Sequence, residues 1–262
     1  MLICAEIGIN HNGDWNLCRE LIRQAANAGA DLAKFQLYDP EDVFADEPEL
    51  IPEGKRCAIS RSVFDQILGW CEEENIEPFF SVFDDERFGW TESAGIGRYK
   101  LASRTLKKTP DFARKVIGTG KSVYASLGMI DAEKADGLLG KWANVHYLFC
   151  VPAYPATYAD YLSQPRHYPH TSYFGISDHS PGIGVSLAAI GRGAGFVEKH
   201  FTLDKTLPGS DHICSITPNE LAALVYYGRQ IEKAIWAEAP PIIRGYPKWK
   251  HQVPASPAAC FP

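Results

Sequence analysis

Short apolar runs alternate with longer amphipathic stretches along this chain of 262 residues. The apolar runs have few polar residues at alternate positions, which is typical of parallel strands covered on both faces. They predict eight strands, at Leu2–Ile7, Asp31–Gln36, Glu77–Val82, Arg98–Leu101, Lys121–Ser126, Val145–Cys150, Tyr173–Ile176 and Gly195–Glu198. Apolar positions at helical spacing predict helices at Asn16–Ala28, Arg61–Glu74, Pro110–Ile117, Ala132–Leu139, Gly184–Gly191 and Pro218–Trp236.

The repeated strand-then-helix order predicts an α/β fold, a single (β/α)8 TIM barrel over residues 1–238. An open doubly wound sheet is the alternative, but no G-x-G-x-x-G follows the first strand, so a dinucleotide-binding fold loses its main support. Residues Pro40–Ser60 are acidic and irregular, and we expect a lid-like excursion after the second strand. Residues 239–262 are rich in proline and predict an extended tail, which either packs on its own barrel or crosses a dimer.

Composition narrows the class of protein. Hydrophobic residues make up 45% and charged residues 22% of the chain, as in ordinary globular proteins. The net charge of −6 disfavours a nucleic-acid-binding protein, although an anionic small molecule can still bind in a local basic pocket. Seven scattered cysteines indicate reduced thiols. Because no signal-peptide pattern and no apolar run of ~20 residues is present, we expect a cytoplasmic protein without membrane contact.

Polar side chains collect where the predicted strands end, which is where barrel enzymes place their active sites. They are Glu6, Lys34, Gln36, Lys100, Ser103, Ser126, Tyr154, Asp178, His179, Glu198 and His200. Lys34 and Gln36 alternate on one strand and therefore point to one face. A charge inside a barrel is costly without a partner, which favours a functional role over a solvated rim charge. Two lysines with neighbouring serines suit an anion such as phosphate.

His179 and His200 end consecutive predicted strands, one βα unit apart. Two neutral imidazoles with open positions suit a divalent transition metal acting as a Lewis acid. Alternatively, the two histidines cap helices or bond the backbone separately, and their spacing alone does not decide between these readings.

The chain resembles the sialic acid synthases, a family that condenses phosphoenolpyruvate with an N-acylated amino sugar. The resemblance runs over nearly the whole predicted barrel. It is carried by Ala5–Gly13 (AEIGINHNG), Ala28–Gln36 (AGADLAKFQ), Tyr99–Ser103 (YKLAS), Ser126–Met129 (SLGM), Ala153–Ala156 (AYPA), Ser177–Ser180 (SDHS), Glu198–Asp204 (EKHFTLD) and Pro208–His212 (PGSDH).

The resemblance implies roles for individual residues. Lys34, Lys100, Ser103, Ser126 and Tyr154 match positions that hold the phosphate and carboxylate of phosphoenolpyruvate. Gln36 and Asp211 match residues around the acceptor sugar, Asp178 falls in a matching motif and is counted with the substrate-binding residues, and Glu6 matches a carboxylate near the reacting carbons. His179 and His200 match the metal ligands, so Mn²⁺ is the expected cofactor, with Mg²⁺ or Co²⁺ as alternatives. A homodimer is expected.

Several positions depart from the family pattern. Leu127 replaces a threonine near the phosphate, Thr105 replaces an acidic residue, and Pro152 replaces an asparagine or serine. Phe149–Cys150 stands where a His-Cys pair is usual. The chain shows no counterpart of the antifreeze-like domain, which in the family presents an arginine to the acceptor across a dimer. The residues expected to bind phosphoenolpyruvate therefore match the family pattern more fully than those expected to bind the acceptor sugar.

Three functions remain open. The first is a metal-dependent synthase that joins phosphoenolpyruvate to an aldose, giving a sialic-acid-like 2-keto-3-deoxy sugar acid with C–O cleavage and release of phosphate. The second is a non-catalytic barrel that binds a sugar acid or a partner synthase. The third is a related barrel lyase or aldolase that acts on a keto acid through the same metal; a Schiff base on Lys34 or Lys100 is conceivable in principle, but the metal site makes it redundant.

Overall fold

The computed structural model describes residues 1–235, and the tail predicted at 239–262 lies outside the described residues. Eight parallel strands pair in sequence order and close into a barrel, which confirms the (β/α)8 prediction. The strands are β1 (Leu2–Gly8), β2 (Leu32–Leu37), β3 (Glu77–Val82), β4 (Arg98–Leu101), β5 (Ser122–Ser126), β6 (Val145–Cys150), β7 (Tyr173–Asp178) and β8 (Phe196–His200).

The helices surround the barrel. They are α1 (Trp15–Asn27), α2 (Pro40–Val43), α3 (Ile51–Cys57), α4 (Arg61–Glu73), α5 (Asp85–Ser93), α6 (Ser103–Lys108), α7 (Pro110–Ile117), α8 (Ala132–Leu139), α9 (Gly184–Gly191) and α10 (Pro218–Ile235). The six helices predicted from periodicity are all present, within about a residue at each end. Helix α1 begins where the Asp14 side chain accepts the Asn16 and Leu17 amides. Within residues 1–235, no helix combines the length and apolarity needed to cross a bilayer.

The interior of the barrel is layered because strand side chains alternate in direction. An apolar layer fills the amino-terminal half with Cys4, Leu32, Phe79, Tyr124, Leu148 and Phe196. The rings of Tyr124 and Phe196 stack with centroids 4.3 Å apart. Two residues further along these strands, the inward positions are Glu6, Lys34, Ser81, Ser126, Cys150 and Glu198, and all of them except Cys150 are polar. The apolar layer is thus the floor of a polar chamber at the carboxyl ends of the strands.

The excursion at 40–60 is more regular than the sequence predicted. Helices α2 and α3 and a 3₁₀ turn at Pro48–Leu50 occupy most of it, so the prediction of an irregular segment was wrong. Proline stands in the first turn of each of these short elements, where its missing N–H costs nothing. Arg104 and Lys108 of α6 pair with Glu47 and Asp46 of the excursion, which fixes it beside the mouth of the barrel.

Gly175 of β7 marks a close approach of β7 to β8. A Cβ atom added there would lie 2.2 Å from the carbonyl oxygen of Phe196, which is backbone and cannot rotate away. We expect Gly175→Ala to lower the free energy of unfolding by about 3 kcal/mol or more, as overpacking forces strands apart. Urea unfolding measures it, with Gly97→Ala as the control because nothing lies within 4 Å of that added Cβ. Equal stability of the two variants would contradict this account of the barrel.

Candidate active site

The polar chamber opens into a cavity of about 440 Å³ at the carboxyl ends of the strands. The predicted site residues that line it are Glu6, Lys34, Gln36, Lys100, Ser103, Ser126, Tyr154, His179, His200 and Asp211. These residues come from seven different strands or the loops after them, so closure of the barrel is what brings them together. Such a constellation at this end of a barrel is the usual arrangement of a catalytic site.

Two lysines and two carboxylates form the floor of the cavity. The Nζ atom of Lys34 lies 2.9 Å from Oε1 of Glu6 and 3.7 Å from Oε1 of Glu198. The Nζ atom of Lys100 lies 3.4 Å from the same Glu198 oxygen and donates to Ser126 Oγ at 2.8 Å. All four charged side chains are at least 96% buried. Each buried charge therefore has a partner, which is the condition for keeping it in the interior.

The pKa values of the two carboxyl groups shift in opposite directions. Burial raises the pKa of Glu6, and the Glu198 carboxylate adds to this while Lys34 opposes it. Burial also acts to raise the pKa of Glu198, but Lys100 and Lys34 on either side hold that pKa below its ordinary value. Burial disfavours the charged form of Lys34, yet Glu198 and Glu6 outweigh it and raise the pKa of Lys34. The cluster therefore holds a firmly ionised Glu198, a cationic Lys34 and a more readily protonated Glu6.

Hydroxyl groups supplement the lysines. Lys34 Nζ donates to Ser81 Oγ at 3.0 Å. Ser103 Oγ donates to the Ser126 carbonyl at 3.0 Å and accepts the Gly128 amide at 2.9 Å. A lysine and a serine thus stand side by side at two places in the cavity, an arrangement that suits an anionic group.

The two histidines meet above this floor. Their ring centroids are 5.3 Å apart, and the ring of Tyr154 lies 4.2 Å from that of His179. The Nδ1 atom of His179 donates to the Val151 carbonyl at 2.7 Å, so the neutral ring carries its lone pair on Nε2. Burial lowers the pKa of His179 to about 4 and also lowers that of His200, which keeps both imidazoles neutral.

Neutral imidazoles are the form that binds a transition metal, so the donor atoms present fit a divalent ion. Nδ1 of His200 is buried without a hydrogen bond and lies 3.3 Å from Oδ2 of Asp211. In the described part of the chain, however, no group of three or more His, Cys, Asp and Glu side chains is arranged to hold a metal. Two protein nitrogens would leave the other coordination positions to water or substrate.

Gln36 and Asp211, the residues that the family resemblance assigns to the acceptor side, both lie near the Glu6 carboxylate. Gln36 Nε2 donates to Glu6 Oε1 at 2.8 Å, whereas Oε2 of Glu6 is buried and has no hydrogen-bond partner. Burial, reinforced by Glu6, raises the pKa of Asp211 to about 7. The unpartnered Glu6 oxygen belongs to a cavity-lining side chain and is available to a bound water or substrate.

Asp178 is the predicted site residue that the structure does not bring into the cavity. Its side chain is fully buried on the other face of β7, where it accepts from the Ser180 amide and hydroxyl and from the Ser186 hydroxyl. Lys199 Nζ lies 3.3 Å from its carboxylate. Because adjacent strand residues point to opposite faces, Asp178 and Lys199 form a buried pair outside the chamber, so Asp178 does not line the cavity in which its substrate-binding role was expected.

Three residues without a predicted role complete the site. Ser81 and Ser177 line the cavity, and Ser177 Oγ donates to Glu198 Oε1 at 2.8 Å. Glu198 stands between the two lysines. Its signal in the sequence was the alternation with His200 on β8, since residues two apart on a strand share a face.

Two of the departures from the family pattern change the cavity less than expected. Leu127 packs in the apolar core and does not line the cavity. Leucine in place of threonine therefore removes no hydroxyl group from the cavity lining. Thr105 is buried, and its hydroxyl has no hydrogen-bond partner. Pro152 and Cys150 do line the cavity, where they add apolar surface.

Comparison with known proteins agrees with this geometry. The model of the NeuB family matches residues 21–238. The chain is 31% identical over 258 residues to N,N'-diacetyllegionaminic acid synthase of Campylobacter jejuni, covering 89% of this chain and 77% of that protein. It is 32% identical over 254 residues to N-acetylneuraminate-9-phosphate synthase of Homo sapiens, covering 89% and 70%.

A solved structure shows the same likeness in three dimensions. The N-acetylneuraminic acid (sialic acid) synthetase of Leptospira borgpetersenii, crystallised with citrate, superposes with a TM-score of 0.82 at 30% identity, covering 96% of this chain and 87% of that one. The likeness therefore extends over the barrel and the loops that form the cavity.

Proposed function

The chain belongs to the NeuB family, and from that membership and its site we propose that it condenses phosphoenolpyruvate with an aldose to give a sialic-acid-like 2-keto-3-deoxy sugar acid. The relatives named above make sialic or legionaminic acids, which agrees with this reaction. The observation that carries the proposal is the pair of buried lysines, Lys34 and Lys100, with serine hydroxyls beside them on the floor of a barrel cavity. We expect the enzyme to act as a cytoplasmic homodimer.

Lys34, Lys100, Ser103 and Ser126 would hold the donor. Phosphoenolpyruvate carries a phosphate and a carboxylate, and the two floor lysines, one from β2 and one from β4, can each take one group. When both the phosphate and the carboxylate are held, the C2–C3 double bond has a fixed position relative to the acceptor. The attack then occurs between positioned groups and does not depend on a chance encounter in solution. Tyr154, whose side chain is 51% exposed at the mouth of the cavity, would cover the bound donor.

In the reaction, C3 of phosphoenolpyruvate forms a bond to the aldehyde carbon of the acceptor, and the aldehyde oxygen takes a proton. Water adds to C2, and phosphate leaves with cleavage of the C2–O bond. Glu6 would orient and deprotonate that water, because its Oε2 atom is unpartnered and its raised pKa suits proton transfer. Gln36 fixes the other oxygen of Glu6, and Asp211 would accept from an acceptor hydroxyl.

His179 and His200 would hold a divalent metal ion, Mn²⁺ in the first place, with Mg²⁺ or Co²⁺ as alternatives. When bound, such an ion supplies Lewis acidity toward a carbonyl oxygen. The chain's own contribution is to present two neutral imidazoles, with His179 oriented by its bond to the Val151 carbonyl.

A phosphate-release screen tests the proposed reaction. Purified protein is incubated with phosphoenolpyruvate, Mn²⁺ and a panel of N-acylated and unsubstituted aldoses. We expect phosphate release that depends on one class of aldose, together with a keto acid product. Tight binding of phosphoenolpyruvate without release with any aldose would support the non-catalytic barrel instead. Trapping of a lysine by borohydride would support the Schiff-base lyase.

Metal content is a separate prediction. We expect the protein loaded with Mn²⁺ and desalted to retain about one ion per chain, and His179→Ala and His200→Ala each to lose at least ~90% of it, because a single imidazole binds such an ion weakly. His170→Ala is the matched control, since His170 is exposed on a 3₁₀ turn away from the cavity. Equal metal content in all four proteins would contradict the assignment.

A further inference from the structure

The ends of β7 and β8 carry a buried ion pair beside the two histidines of the site. Asp178 and Lys199 face each other as partners in the β7–β8 ladder, and they directly precede His179 and His200 in the chain. The Nζ atom of Lys199 lies 3.3 Å from Oδ2 of Asp178, and both side chains are fully buried. Because adjacent strand residues point to opposite faces, the pair lies behind the chamber into which His200 points.

His179 stands one residue beyond the last pair of the β7–β8 ladder, whereas His200 is still paired with Glu6 of β1. The position of His179 therefore depends on side-chain bonds. Oδ1 of Asp178 accepts the Ser180 amide at 2.8 Å and the Ser180 hydroxyl at 2.7 Å. A carboxylate that accepts the amide two residues further on closes an Asx turn, and His179 is the middle residue of this turn.

Lys199 ties this turn to β8. Its Nζ atom donates to the Ser180 carbonyl in addition to its contact with Asp178. The residues on both sides of His179 are thus held by the residue that precedes His200. Oδ2 of Asp178 also accepts the Ser186 hydroxyl at 2.6 Å, which joins the same cluster to α9.

The charges of this pair add little net stability to the fold. Removing an ammonium and a carboxylate from water costs about as much free energy as their attraction returns, and apolar residues of similar volume often give equal or greater stability. An apolar pair would fill the space between β7, β8 and α9, but it would bond neither the amide nor the carbonyl of Ser180. The polar pair therefore contributes the direction of the turn.

We infer that Asp178 and Lys199 are positioning residues that hold the turn carrying His179 at a fixed place relative to His200. This inference rests on the proposed function, because it concerns the residues that would bind the metal ion. Replacing an outer group that orients a metal-binding side chain typically lowers metal affinity about 10–100-fold. Here the outer groups act through the backbone, since Nδ1 of His179 is already bonded to the Val151 carbonyl.

A neutral replacement of the pair tests the inference. Asp178→Asn/Lys199→Met removes both charges and the bond to the Ser180 carbonyl, and it leaves no buried charge without a partner. We expect this variant to unfold at a urea concentration close to that of the wild type and to bind Mn²⁺ at least ~10-fold more weakly. Loss of affinity without loss of stability is the result that a merely structural pair would not give.

A crystal structure of the same variant gives a second measurement. The ring centroids of His179 and His200 lie 5.3 Å apart in the wild type. We expect their separation to change by about 1 Å or more, a displacement large enough to disturb a functional site. If the double variant does not fold, Asp178→Asn alone takes its place, because it preserves the side-chain volume and the bond from Lys199 to Ser180. It should change the ring separation and the Mn²⁺ affinity in the same way.

Glu77→Gln/Arg98→Met is the matched control. It neutralises a partly buried ion pair between β3 and β4, in which Nε of Arg98 lies 2.7 Å from Oε1 of Glu77 at the amino-terminal end of the barrel. This control should leave both the Mn²⁺ affinity and the ring separation unchanged. If it weakens Mn²⁺ binding as much as Asp178→Asn/Lys199→Met does, the inference is overturned.

Failure of this inference and failure of the proposed reaction give different results. The ring separation is measured without metal or substrate, so it tests the positioning role even if the wild type binds no Mn²⁺ and releases no phosphate. An unchanged ring separation in the folded variant overturns the inference, and so does an unchanged Mn²⁺ affinity. Displaced rings and weaker Mn²⁺ binding, in a protein whose wild type releases no phosphate with any aldose, support the inference and contradict the synthase.

Discussion

Lys34→Met is expected to weaken the binding of phosphoenolpyruvate by at least ~100-fold. The substitution removes a cation that is 97% buried at the floor of the cavity, and truncating one partner of a desolvated charge pair costs ~2–5 kcal/mol or more. Methionine preserves most of the side-chain volume, so the loss reports on charge. Isothermal titration calorimetry with phosphoenolpyruvate alone measures the effect before any acceptor is present.

The control for this substitution is Lys115→Met, which removes a surface lysine paired with Asp85 and should leave the affinity unchanged. Lys34→Met also leaves Glu6 without its cation, and an uncompensated buried charge destabilises a fold by ~3–5 kcal/mol. The variant Lys34→Met/Glu6→Gln restores that balance and keeps the test valid if the single variant does not fold. Wild-type affinity in either folded variant would remove Lys34 from the donor site.

The barrel was predictable from the sequence because each strand buries both of its faces. Such strands have short, nearly continuous apolar runs, and β3, β4 and β6 have the predicted bounds. Helix α5 was missed for the converse reason. Only Phe88 and the partly buried Trp90 give it apolar contact with the core, so it has no long stripe of hydrophobic positions. Its start is fixed by Asp84, whose side chain accepts the Arg87 amide. Local capping is a weaker signal than periodicity.

Site residues were predictable from the sequence where a charged side chain stands in a strand that is otherwise apolar and buried. Lys34 stands in a strand whose neighbours are apolar, and that conflict pointed to function before any contact was known. The role of Glu198 depends on tertiary structure, because only closure of the barrel places it between Lys34 on β2 and Lys100 on β4.

Asp178 belongs to a motif of the site, yet its position on β7 turns its side chain away from the cavity. It lies between Ser177 and His179, both of which line the cavity, and it points to the opposite face of β7. The shared motif placed Asp178 with His179 in the site, whereas the period of two along a strand puts their side chains on opposite faces. The same alternation places Lys199 outside the chamber and its neighbours Glu198 and His200 inside.

Glu6→Gln is expected to lower kcat by about 1,000-fold while changing the affinity for phosphoenolpyruvate by less than about threefold, since a positioned general base contributes 10²–10⁴-fold and Lys34 remains. Glutamine keeps the hydrogen-bonding shape but cannot take a proton from water. Steady-state phosphate release and calorimetry measure the two effects. The matched control is Glu77→Gln, which removes a partly buried carboxyl whose pKa is also raised and which pairs with Arg98 at the amino-terminal end of β3.

The pH profile separates a base from a structural carboxylate at this position. Glu6 must be ionised to accept a proton, and burial raises its pKa above that of an ordinary glutamate. Activity of the wild type should therefore fall as the pH decreases through that raised pKa, at a higher pH than an exposed carboxylate would give. In Glu6→Gln the residual activity should lose this acid limb, whereas Glu77→Gln should keep it. An acid limb that survives unchanged in Glu6→Gln, or a kcat within tenfold of the wild type, would show that another group deprotonates the water.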